Sequence, residues 1–191
     1  MCVCRWSALA AVALALLPAA LPAADFTVDP VHSSVGFAVK HMVVSTVRGQ
    51  FTDFEGTFTL DDKGEKLLAL SGQVKVPSVN TANEKRDDHL RSPDFFDAKT
   101  FPAIAFKLKS VEGTKATGTL TIRDVSKDIV LDVAVGGVVK GPDGKLRGGF
   151  SLNGTINRMD FNVKFSKALE TGGLMVGEEV RIIVEVEGVA K

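Results

Sequence analysis

Cysteine is nearly missing from this 191-residue chain: the two present, Cys2 and Cys4, both fall in the first four residues. That excludes a disulfide framework and a thiolate metal site in the body of the protein. Tyrosine is absent and tryptophan occurs once, at Trp6, so the aromatic content is carried by 12 phenylalanines. Neither sign of charge dominates, with 23 Lys and Arg against 23 Asp and Glu. Without a basic stripe the chain lacks the electrostatic footprint of a nucleic-acid binder. Hydrophobic residues at 45% and charged residues at 24% are enough to build a core, which excludes a disordered tail. The length suits one domain preceded by a processed segment.

Long apolar runs are also lacking. The longest, Ala8 to Leu17, is ended by Pro18 and falls short of the roughly 20 residues needed to cross a bilayer. With Arg5 before it and the small residues Ala23 and Ala24 after it, residues 1–24 read as a secretory signal peptide cut near Asp25. A retained amphitropic anchor is the alternative. Cleavage would remove both cysteines, Trp6 and Arg5, taking the 23 basic residues to 22. Residues 25–191 are then an exported domain, periplasmic or secreted.

What is present is alternation with a period of two. Val35, Phe37 and Val39 are interleaved with small or polar residues, as are Leu68, Leu70, Val74 and Val76. The same holds for Ile104, Phe106 and Leu108, for Leu120 and Ile122, and for Ile129, Leu131, Val133 and Val135. Phe150, Leu152 and Ile156, then Val180, Ile182, Val184 and Val186, complete the series. Each run predicts a strand with one wet and one dry face. Turn signals such as Asp62-Lys63-Gly64 and Gly141-Pro142-Asp143-Gly144 separate them. About eight to ten antiparallel strands follow, as a barrel or a sandwich. Glycines inside strand patterns (Gly36, Gly56, Gly72, Gly118, Gly154) favour the barrel, where they mark corners and close backbone approaches.

Residues 78–102 break the pattern. Thr81 with Glu84 reads as a capping box, and Pro93 as the first position of a second turn. This predicts a short helical excursion near residues 82–97, with Phe95 and Phe96 as an apolar plug. Residues 164–177 form a second irregular stretch, glycine-rich yet greasy, that packs on the barrel or borders an opening.

No nucleophile elbow, phosphate-binding loop or zinc-protease signature occurs. The three histidines, His32, His41 and His89, have no short ligand spacing, so a metal site would depend wholly on the fold. Asp87 and Asp88 diverge on a helix, and nothing sets two carboxylates face to face across a cleft. Arg86, His89 and Arg91 read either as ion pairs fixing the helix or as a polar contact at the barrel mouth. What remains is hydrophobic capacity. Phenylalanine has no polar tip and can line an interior without a hydrogen-bond partner. An eight-stranded barrel is just wide enough to be filled solid or to hold one small ligand, and the residues leave both readings open.

The motif order is similar to that of the YceI-like family, bacterial lipid- or polyisoprenoid-binding proteins with a lipocalin-like barrel. The carriers are FTVDPVHSSVGFAVKHM, VRGQFTDFEGTF, VNTANEKRDDHLRSPDFFDAKTFPAIAF, GTLTIRDVSKDIVLDVAV, GTINRMDFNV and GEEVRIIVEVEG, spanning Asp25 to about Gly188. The chain departs at Asp124, Ser126 and Asp128, where the family usually has Gly, Thr and Pro, and at Asn162 in place of Gly. Asp124 and Asn162 both tolerate left-handed backbone and can hold the turns.

The resemblance implies an all-β, eight-stranded antiparallel lipocalin-like barrel enclosing an apolar tunnel. It implies a bound amphiphile: a polyisoprenoid, an isoprenoid quinone or a fatty-acid derivative, held for transport or storage. Enzymatic activity, a cofactor and a metal are not part of the expectation; a bound isoprenoid or lipid that copurifies would be consistent with it. A transient contact with a membrane or membrane protein fits such a role. A tail of some forty carbons would gain around 30 kcal/mol gross at about 0.8 kcal/mol per methylene, so no strong polar anchor is required. Two rivals remain: a solid-core stress or protein-interaction module, and a metal-assisted hydrolase at the barrel mouth using the histidines.

From alternation, the inner wall should include Phe37, Val39, Phe58, Phe106, Leu120, Ile122, Leu131, Val133, Leu152 and Ile182. The polar rim should include His32, His41, Arg86, His89 and Arg91. A register error of one residue would send a strand's whole set outward. Phe106→Asp places a charge on the wall and is expected to abolish lipid uptake, measured by binding of a fluorescent lipid. A folded variant that still takes up lipid would put the wall elsewhere.

Overall fold

The computed structural model describes residues 23–170 and 172–191. The expected signal segment lies outside these, apart from Ala23 and Ala24. Ala24 opens the first strand opposite Leu60.

Eleven strands occur among the described residues, in the order β1 (Ala24–Val28), β2 (Ser34–His41), β3 (Ser45–Phe51), β4 (Phe54–Leu60), β5 (Leu67–Lys75), β6 (Val79–Asn80), β7 (Ala103–Glu112), β8 (Lys115–Ile122), β9 (Val125–Lys140), β10 (Leu146–Asn157) and β11 (Val176–Ala190). One helix, α1 (Glu84–Arg91), lies between β6 and β7. Every pairing is antiparallel. Eight strands close a ring in the order β1-β4-β5-β7-β8-β9-β10-β11, sealed by β1 against β11. The expected eight-stranded antiparallel barrel is therefore present.

β11 makes the closure. One of its edges carries β10 from Asn157 to Arg147. The other carries two strands in succession: β1 opposite Gly188 to Ala190, and β2 opposite Val180 to Glu185. The bend at residues 29–33 separates those two, and the bend at Thr52-Asp53 separates β3 from β4 in the same way. At one end the ring is complete. At the other, β2, β3 and the short β6 extend as a leaf from β11. Leu90 of α1, with Phe96 of the following turn, packs on the leaf's core of Phe51, Val74 and Val79.

The helix lies within the segment where the sequence predicts one, but its cap differs. Asn83 is the N-cap, its Oδ1 accepting from the Arg86 N–H at 3.0 Å. Thr81 instead donates its N–H and hydroxyl to the buried Asp87 carboxylate, at 2.8 and 2.5 Å. A buried carboxylate needs donors more than the exposed helix start needs a capping box. The β8–β9 turn differs too: the left-handed residue is Arg123, at φ 56°, rather than Asp124. Asn162 does take the left-handed conformation, at φ 60°, closing the 3-10 turn Arg158–Phe161.

The closed end is solid. Phe26 and Phe58 stack with ring centroids 5.0 Å apart, and Phe150 meets Phe58 edge-on at 5.0 Å. Leu60, Leu67 and Val133 join them in one buried cluster. The rings need glycine opposite: a Cβ at Gly188 would fall inside the Phe58 ring, and one at Gly118 inside the Phe106 ring. Gly188→Ala should therefore destabilise by about 1–3 kcal/mol, the usual cost of overpacking, read from the midpoint of urea unfolding. An unchanged midpoint would mean that Phe58 does not lie against this strand.

Candidate functional site

Beyond the phenylalanine cluster the barrel is hollow. It encloses a cavity of about 220 Å³. The hollow follows from where inward positions carry no side chain. The inward rows of β4 and β5 read Phe54, Gly56, Phe58 and Val74, Gly72, Leu70, and Gly56 faces Gly72 directly. On the next strand Phe106 pairs with Gly72. Gly72 leaves space that its neighbours line but do not fill, whereas Gly56 serves the close approach of the two backbones: a Cβ there would meet the Ser71 carbonyl at 2.9 Å and the Gly72 Cα at 3.1 Å.

Eight of the ten residues expected on the wall line this cavity: Phe37, Val39, Phe106, Leu120, Ile122, Leu131, Leu152 and Ile182. Phe58 and Val133 do not; both are buried in the solid cluster at the closed end. The cavity is also lined by Val180, Val184 and Val186, which share the parity of Ile182 on β11, and by Ile104, Ile129 and Ile156. Their alternation was visible, and only the depth of the hollow decides which of them reach it. Phe95 and Phe96, the expected plug, close the wall beside α1.

The expected rim residues are not brought together, and none of the five lines the cavity. His32 sits in the β1–β2 bend, its Nδ1 2.8 Å from Asp29. That hydrogen bond raises the His32 pKa and lowers that of Asp29. His41 ends β2 opposite Val176. Arg86 donates to the Thr81 hydroxyl and carbonyl, and Arg91 to the Pro77 and Val79 carbonyls and to Asp88. His89 lies edge-on between Phe95 and Phe165, with Asp94 2.9 Å from its Nε2. The helix cations therefore fasten α1 to the β6 segment.

Among the described residues, Asp29, His32 and Glu187 do converge closely enough to hold an ion. The guanidinium of Arg147 is already among them, 2.9 Å from Glu187 and 3.6 Å from Asp29. A fixed cation there supplies the charge a metal would bring. His41 and His89 belong to no such group.

Three polar residues occur in the cavity lining: Glu55, Gln73 and Arg158. The first two are exposed and hydrogen-bonded to each other at 2.6 Å. Arg158 is different, being 4% exposed. It follows β10 directly, where Asn157 caps the 3-10 turn by accepting from the Met159 N–H. Its Nε donates to the Gly177 carbonyl at 2.8 Å, Nη1 to Val163 at 2.6 Å and Nη2 to Val176 at 3.1 Å. Burial pushes its pKa down, partly offset by the field of Glu178. Arg158 lies in the GTINRMDFNV motif quoted above, but the motif gave it no role, and alternation alone did not predict its burial.

An outer groove of about 860 Å³ crosses β1, β4, β5, β7 and β8 and shares Val28, Phe54, Glu55, Gly56, Gly72, Gln73, Ala105 and Phe106 with the cavity. Thr27, Thr57, Ser71, Thr119 and Thr121 also line it. It is more open and more polar than the interior, whose wall is almost wholly hydrocarbon; ligand sites are mostly apolar, so the interior is the candidate site.

Fold and cavity together define a hollow antiparallel β-barrel with an apolar interior. Residues 26–188 match the model of the YceI-like domain, and the chain belongs to that family. The protein UPF0312 SA2479 of Staphylococcus aureus strain N315 is 40% identical over 164 residues, 85% of this chain and 96% of that one. The crystal structure of the Campylobacter jejuni YCEI protein is 41% identical, with a TM-score of 0.69 over 80% of this chain and 90% of that one. BcnA of Burkholderia cenocepacia is 25% identical, with a TM-score of 0.69 over 84% and 98%. A polyisoprenoid-binding domain from Saccharophagus degradans shares the fold at 15% identity, with a TM-score of 0.66 over 87% and 98%.

Gly72 offers a direct test of the cavity. A Cβ there would meet only the Glu55 carbonyl at 3.4 Å and the Gly56 Cα at 3.9 Å, so a side chain fits and points inward. Gly72→Leu is expected to remain folded and to lose most binding of an uncharged fluorescent probe of apolar cavities. Full probe binding in a folded variant would place the probe outside the barrel.

Proposed function

We propose that this protein is a binding protein that holds the apolar tail of an amphiphile, a polyisoprenoid or a fatty-acid derivative, inside the barrel. The observation that carries this reading is the interior cavity with its almost wholly hydrocarbon wall. Membership of the YceI-like family supports it, as does the shared fold of the Saccharophagus degradans polyisoprenoid-binding domain. The protein acts by uptake and release rather than by making or breaking bonds. Residues 1–24, read as a signal peptide, support a periplasmic or secreted location. There it would carry or store its ligand and meet membranes transiently.

The cavity of about 220 Å³ exceeds an engineered apolar cavity of about 150 Å³ that admits benzene, so it has room for a hydrocarbon tail.

The test is organic extraction of the purified protein followed by mass spectrometry. A lipid recovered in near-stoichiometric amount and absent from the Gly72→Leu variant is the expected result. A clean extract, together with failure of the stripped protein to take up added fatty acids or prenols, would overturn the proposal.

A further inference from the structure

We infer that Arg158 receives the anionic head group, a carboxylate or a phosphate, of the amphiphile whose tail fills the cavity. The inference rests on the binding function proposed above and adds the chemical class and orientation of the ligand.

Arg158 is the single buried polar residue of the cavity lining and carries a full charge. Its three hydrogen bonds all run to backbone carbonyls, of Val163, Val176 and Gly177. Carbonyl dipoles orient a guanidinium, but they leave its net charge in place. Among the described residues no carboxylate comes within ion-pairing distance of it. Glu178, whose field it feels, stands exposed outside that range. Arg147 pairs with Asp29, Asp143 and Glu187; Arg123, also held by backbone carbonyls, is only half-buried and does not line the cavity. A buried cation without a counter-ion is costly, and the cost falls when an anion arrives. A guanidinium has five N–H donors in a planar fork suited to carboxylate and phosphate oxygens. Three are engaged, so two remain to be used.

The position supplies the ligand's polarity. Arg158 stands one turn beyond Ile156 on the strand whose Ile156, Leu152 and Phe150 line the cavity in succession. Six residues at about 3.4 Å each put Phe150 some 20 Å along that strand from Ile156. A head group at Arg158 therefore sends its tail past Leu152 and Leu131 toward the Phe58 stack. The carbonyls that hold the arginine come from residues 163–177, the irregular stretch packed over this end of the barrel. The head group would thus sit beneath that stretch and the tail would run inward.

Displacement of the neutral probe N-phenyl-1-naphthylamine from the delipidated full-length protein distinguishes the ligand classes. Decanoate, decyl phosphate and decanol present similar tails with different heads. We expect at least one of the two anions to bind at least tenfold more tightly than decanol. The relative strength of decanoate and decyl phosphate then identifies the head group. Arg158→Met should remove that preference, read as the ratio of anion to decanol affinity in the folded variant, and Arg158→Lys should retain part of it. Decanol binding as tightly as both anions to the unmodified protein would overturn the role of Arg158 and leave the tail-binding function standing. The same conclusion follows if a folded Arg158→Met keeps its anion preference. If none of the three compounds binds, the head-group role of Arg158 is overturned, and extraction with mass spectrometry decides the tail-binding function separately.

Discussion

An eight-stranded barrel has an interior only just wide enough for its own side chains. Where its few inward glycines fall therefore decides whether that interior is solid or hollow. A glycine facing a ring draws the ring flat against the wall, as Gly188 does for Phe58 and Gly118 for Phe106. A glycine with open space before it leaves a vacancy, as Gly72 does. The same residue type thus produces a packed floor of Phe26, Phe58 and Phe150 at one end and an open chamber beyond it. The closure that makes an interior at all depends on β11, which accepts β1 and β2 in turn along one edge.

Charge follows the same division between inside and outside. On the outer face, cross-strand pairs such as Lys75 with Asp53, Lys109 with Asp128 and Lys115 with Asp132 lie in water. Exposed pairs of this kind contribute little to stability, but they keep the outward rows polar. Arg147 gathers Asp29, Asp143 and Glu187 into a half-exposed network at the end where β1 gives way to β2. Arg158 alone stands inside, held by carbonyls and facing hydrocarbon. Its contrast with Arg147 is one of solvent and counter-ion, and that contrast gives the chamber a polar end and an apolar end.

The alternation of Val35, Phe37 and Val39, or of Leu120 and Ile122, determines by itself which side chains face inward. The pleat has a period of two, and one dry face leaves no freedom of register. That is why the wall was legible strand by strand, and why the barrel followed from glycines within the runs. Only the tertiary structure decided which inward residues line space and which fill it. Phe58 and Val133 carry the same pattern as Phe106 and Leu131, yet lie in the floor because their cross-strand neighbours are rings and branched chains. It also decided that His32, His41 and His89 stay on separate elements and that Arg158 is buried. Both outcomes depend on strands distant in sequence meeting at a particular register, and no local spacing encodes that.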